Sequence, residues 1–307
     1  MRINKLLVTL AFSMLFGSGV AVAADFDKGQ NAYYSGDFKT ALAELTPLAV
    51  QGDSDAQYSL SEMYRYGYGI PQNDKTAVKW LTKAAEQGHV HAQDFLGLMY
   101  RTGIYVPQND KTAVKWYTKV AEQGDASAQD TLGRIYSNGY GIQQNYKTAV
   151  KWYTRAAEQG HAEAQRNLGS MYRNGKGVPE NGKTAAKWYT KAAEQGDASA
   201  QFTLGFMHDY GGMGVLKNYK TAVEWYTRAA EQGAASAQNH LGIMYYNGFG
   251  VLTDYVRAYM WYNIAAYNDH KKGAENKTKI AKKMTLADIS KAQDMSSRCL
   301  ESNYTDC

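Results

Sequence analysis

Six histidines, two cysteines and one recurring glutamate are the side chains in this sequence best suited to hold a metal or move a proton. The histidines are His89, His91, His161, His208, His240 and His270. Only His89 and His91 are neighbours, and they follow Gly88 in what reads as a turn. A metal would need further ligands from distant segments. Surface histidines are therefore expected, with no metal and no cofactor. No G-x-S-x-G elbow, H-E-x-x-H or G-x-x-x-x-G-K-[ST] occurs. G-x-G steps such as Gly67-Tyr68-Gly69 follow no strand pattern, so they punctuate loops rather than cradle phosphates. Glu86, Glu122, Glu158, Glu194 and Glu231 recur in one context. A carboxylate repeated in every unit is a structural column, not an acid–base pair. No catalytic residue is expected, and the chain does not read as an enzyme. Cys299 and Cys307 lie eight apart. In an oxidising compartment they can form a disulfide that ties down the tail, the alternative being free or intermolecular thiols.

The elements that carry these residues repeat. Ala84-Ala85-Glu86-Gln87-Gly88 recurs with its glycines 36 or 37 residues apart. The tryptophans Trp80, Trp116, Trp152, Trp188, Trp225 and Trp261 keep the same period. Such a period marks stacked helix pairs. Six repeats are expected: 53–88, 89–124, 125–160, 161–196, 197–233 and 234–269. In each, apolar residues return with helical spacing twice. Ala56, Leu60, Met63 and Tyr64 share one face of a first helix, and Ala77, Trp80, Leu81 and Ala84 one face of a second. Asn73 or Asp74 can cap the second helix, and Gly88 closes it. The tryptophans are expected to be buried between helices, so that Trp152→Ala unfolds its surroundings. Residues 24–52 read as an N-terminal capping helix pair, and residues 270–307 as capping helices and a tail.

The pattern A-x-x-x-L-G-x-M-Y, G-x-G-V/I, K-T-A-V-K-W-Y, A-A-E-Q-G resembles the Sel-one-like repeat family, relatives of tetratricopeptide repeats. Leu96-Gly97, Met99-Tyr100, Trp116-Tyr117 and Ala121 to Gly124 carry it in the second repeat. Ser61, Tyr105 and His208 depart from it, as does an additional residue in Gly211-Gly212-Met213-Gly214, and these put local loop shape in question. The resemblance implies an all-α, right-handed α-solenoid of antiparallel helix pairs with a concave groove. It also implies that first-helix positions line that groove: Tyr58, Arg65, Asp94, Arg101, Asp130, Arg134, Arg166, Arg173, Phe202, Phe206, Tyr210, Asn239 and Tyr246. Arginines dominate the early and middle repeats, and aromatics the fifth and sixth. Arginine with exposed aromatics is the composition of a recognition surface, so a protein or peptide partner is expected. Alternatives are a cell-wall glycan on the aromatics, or the β-lactam binding or hydrolysis associated with cysteine-rich members of the family, whose paired cysteines are missing here.

Net charge narrows the partners. The formal charge is +5, and Arg2 and Lys5 lie in an N-terminal segment with a basic start, an apolar run from Leu6 to Phe16 and Ala21-Val22-Ala23. That segment reads as a signal peptide, residues 1–23, so the chain is expected to be exported, to the periplasm or beyond. No basic stripe points to nucleic acid, and no other apolar run is long enough to span a membrane.

Overall fold

The computed structural model describes residues 24–212 and 214–307. The signal-peptide expectation falls outside them. The described residues form sixteen helices and almost no strand, the all-α solenoid architecture expected. The chain divides into two compact units, residues 1–96 and 97–307.

The first unit holds α1 (Phe26–Ser35), α2 (Phe38–Gln51), α3 (Ser54–Tyr66), α4 (Asp74–Glu86) and the start of α5 (Val90–Thr102). α1 packs on α2, α2 on α3 and α3 on α4. Ala41, Leu45, Ala56, Leu60 and Met63 form its core. The N-terminal pair is present, with Asp25 and Asp37 capping its two helices through their side chains.

The second unit continues with α6 (Asp110–Glu122), α7 (Ala126–Asn138), α8 (Tyr146–Glu158), α9 (Ala162–Arg173), α10 (Gly182–Glu194) and α11 (Ala198–Tyr210). It ends with α12 (Tyr219–Ala230), α13 (Ala235–Asn247), α14 (Tyr255–Tyr267), α15 (Lys271–Ala281) and α16 (Leu286–Glu301). First helices pack on the second helices of their own repeat, and those on the next first helix. α14 packs on both α15 and α16, and Cys299 is bonded to Cys307.

The tryptophans do not form the core. Trp80, Trp116, Trp152, Trp188 and Trp225 are only half-buried, and Trp261 alone is buried. The reason lies one residue on. Tyr117, Tyr153, Tyr189, Tyr226 and Tyr262 are buried against Gly97, Gly133, Gly169, Gly205 and Gly242. The missing Cβ is what admits each phenol ring. Ser61, the departure in the first repeat, coincides with the smaller Leu81 at the tyrosine position. The indoles instead lie beneath cations one helical turn on, as Arg155 lies 4.8 Å from the centre of the Trp152 ring.

Candidate functional site

The side chains that join repeats are glutamines. Nε2 of Gln57, Gln129, Gln165, Gln201 and Gln238 donates to the carbonyls of Ala49, Ala121, Ala157, Ala193 and Ala230 at 3.0–3.1 Å. Their Oε1 atoms accept from Gln87, Gln159, Gln195, Gln232 and Asn268 at 2.7–2.9 Å. That ladder satisfies buried polar atoms at each joint. It explains the A-E-Q-G phrase: the Gln is structural, whereas the adjacent Glu is exposed.

In the first unit the expected site residues are largely occupied within the fold. The Arg65 guanidinium lies 4.1 Å from the Tyr66 ring centre and 4.3 Å from that of Phe95, and faces Glu62 at 3.7 Å. Tyr58 stacks on His89 at 4.7 Å, and burial raises its phenol pKa. His89 uses Nδ1 to accept from the Ala92 N–H at 3.1 Å, capping α5, while Nε2 meets Asp55 at 3.2 Å. This histidine caps a helix. Asp94 is exposed.

In the second unit two expected contact residues turn inward. Asp130 and Asn239 are buried and accept from Asn167 (2.9 Å) and Asn276 (3.0 Å). They tie α7 to α9 and α13 to α15, and do not face a partner. Burial raises the Asp130 pKa. Arg166 is bound to Asp197 at 3.0 Å. Arg101 is half-buried and Arg134 exposed.

The remaining expected residues converge. Arg173, Phe202, Phe206 and Tyr210 line one cavity of about 460 Å³ between α9 and α11. Among the described residues Arg173 has no ion-pair partner. Phe206 and Tyr210 pack ring to ring at 4.4 Å yet stay 41% and 63% exposed. Apolar surface left open beside an unpaired cation is what a ligand would cover. Beneath it Phe202 meets His240 edge-on at 5.2 Å. The Tyr226 hydroxyl donates to Asp209 at 3.3 Å, and burial raises the Asp209 pKa.

A second cavity, of about 290 Å³, is lined by Ile243, Tyr246, Asn276, Lys279 and Lys283. Tyr246 stands where expected and accepts from the Lys283 ammonium. Lys279, Lys283 and Asn276 escape repeat-based reading because they lie in the capping helix. His240 escapes for another reason. It belongs to the column of Ser59, Phe95, Thr131, Asn167 and Thr203, whose variability was a usable signal.

Comparison with known proteins agrees with this construction. The Sel1 repeat model matches residues 54–89, 90–125, 126–161, 162–197, 198–233 and 235–270. Each match begins one residue after the repeat read from the tryptophan and glycine spacing. No curated protein matches the chain significantly. A solved Sel1 repeat protein from Oxalobacter formigenes is 33% identical, with a TM-score of 0.62 over 80% of this chain and 97% of its own. A protective antigen of uropathogenic Escherichia coli strains, displaying an SLR fold, is 32% identical. Its TM-score is 0.56 over 91% of this chain and 69% of its own. With six repeat matches in tandem over these helix pairs, the chain belongs to the Sel1 repeat family.

Proposed function

We propose that this protein is an exported, periplasmic scaffold that holds a protein or peptide segment against α9 and α11. Sel1 repeats serve in the main as non-catalytic scaffolds for protein interactions. One observation carries the reading here: Arg173, in no ion pair among the described residues, opens into the same cavity as Phe202, Phe206 and Tyr210. The guanidinium would hold a carboxylate or carbonyl oxygen of the partner, and the rings would cover an apolar side chain.

Selection from a random peptide library on the immobilised protein tests this. The enriched peptides should pair an acidic residue with an aromatic or branched apolar one. Phe206→Ala with Tyr210→Ala should weaken the best peptide by about tenfold or more, since exposed aromatic anchors dominate such interfaces. Arg173→Glu should weaken it as well. Unchanged affinity in both variants, or no enrichment, would remove the reading. Export has its own test: N-terminal sequencing of protein from a periplasmic extract should begin at Ala24.

A further inference from the structure

The loops of the second unit, two of which also reach the cavity through Asn174, Gly211 and Gly212, have a surface character of their own. The loops joining first to second helices follow one another along one edge. Gly177 and Gly250 press on the backbones of Tyr146 and Tyr219, leaving no room for a Cβ. The Tyr219 and Phe249 rings stack at 4.6 Å, and Lys176 lies 5.3 Å from the Tyr146 ring centre. The second glycine of these G-x-G steps is therefore what lets each loop touch the start of the preceding second helix. Where Tyr105 replaces it, the backbone still holds a left-handed φ of 66°.

This edge exposes apolar side chains that no core claims. Leu216 and Leu252 are 86% and 90% exposed, and Ile104 and Tyr140 also stand mostly in solvent. Each sits on its own loop. Between them are six exposed lysines: Lys111, Lys147, Lys176, Lys183, Lys217 and Lys220. The same loops carry one exposed carboxylate, Glu180; Asp110 and Asp254 are half-buried, and Asp254 caps α14. Four of the lysines lie in the first turns of α6, α8, α10 and α12. There the helix dipole favours an acidic residue, so helix stability does not account for them.

We infer that this loop edge docks on an anionic lipid surface. Single apolar side chains on separate loops suit a bilayer interface, which asks for no shape complementarity. A protein partner would instead call for a packed apolar centre. Long lysine stems can lie along that interface with their ammonium groups at the phosphates. Tyrosine is at home at the same depth.

The test is vesicle flotation of the full chain. Vesicles of phosphatidylcholine with phosphatidylglycerol should carry the protein up, and phosphatidylcholine alone should carry little. Leu216→Ser with Leu252→Ser should reduce binding by about tenfold or more, because the inserted hydrocarbon is lost. Lys147→Glu with Lys183→Glu should reduce it by at least about tenfold and remove most of its salt sensitivity. Both variants should keep the parent's circular dichroism spectrum. Comparing variants with parent cancels any contribution from the apolar N-terminus. Equal flotation of parent and variants, or of the two vesicle types, would overturn the inference. So would binding to an acidic protein or nucleic acid with no binding to the anionic vesicles.

Discussion

At the scale of single residues, the side chains that cap α3, α5, α7, α9, α11 and α15 are of two chemical kinds, and α13 has no side-chain cap. Asp53, Asp125 and Asp197 cap first helices with a carboxylate. His89 and His161 do it with Nδ1, as His270 does for the capping helix α15, and that nitrogen can accept only while unprotonated there. Burial lowers the pKa of His89 and of His270. The folded state therefore binds a proton less readily than the unfolded chain, whose histidines titrate at about 6.5. Stability from the His89 and His270 caps is complete above that value and is lost as pH falls through it toward the lower folded pKa. His270→Asp replaces the cap with one that titrates at about 4. The drop in melting temperature between neutral pH and a mildly acidic buffer should be smaller in that variant than in the parent. An equal drop would show that His270 is not a titrating cap. Arg65 gives the complementary lesson. Its type suggested recognition, but two rings and Glu62 already occupy it.

At the scale of the helix pair, tyrosine rather than tryptophan locks the two helices together. Tyr153 is 3% exposed, and a Cβ on Gly133 would overlap its ring. Trp152 is half-buried and bridged to solvent by Arg155. Truncating a fully packed aromatic ring costs about 3–5 kcal/mol. Tyr153→Ala should approach that loss in denaturant unfolding, and Trp152→Ala should lose clearly less. Gly133→Ala should cost about 1–3 kcal/mol by overpacking the same contact. A larger loss for Trp152→Ala than for Tyr153→Ala would reverse this assignment. The sequence displayed Trp and Tyr with identical period and adjacent register. Periodicity alone could not say which of the two rings met the glycine, since that depends on the rotation of one helix against the other.

At the scale of the molecule, stability in a repeat array is a sum over neighbours, so its ends are the weak points. The second unit closes its end covalently. Cys299 is fully buried and bonded to Cys307. Between them Tyr304 covers Gly233 and shares hydrogen bonds of 3.0–3.1 Å with Asn268. Asn268 in turn holds Gln238, the last rung of the ladder. Cys307→Ser should cost the end of the array about 2–3 kcal/mol on the chain-entropy account. Hydrogen exchange should accelerate in α14 and α16, while α1 to α4 exchange as before. Uniform acceleration would mean that the tail stabilises the whole chain rather than one end.

The sequence by itself determined the repeat length, the helix pairs and the family resemblance. Each rests on local periodicity and chain-neighbour chemistry, which a linear reading contains. It also brought Arg173, Phe202, Phe206 and Tyr210 into one column set, and these line a common cavity. Only the tertiary structure decided that Asp130 and Asn239 face inward and that Arg166 is bound to Asp197. The same holds for Lys279 and Lys283, which join Tyr246 at a cavity. Those outcomes depend on partners 31 to 37 residues away. Whether a side chain meets such a partner is set by how adjacent pairs stack, and no spacing within one repeat encodes that distance.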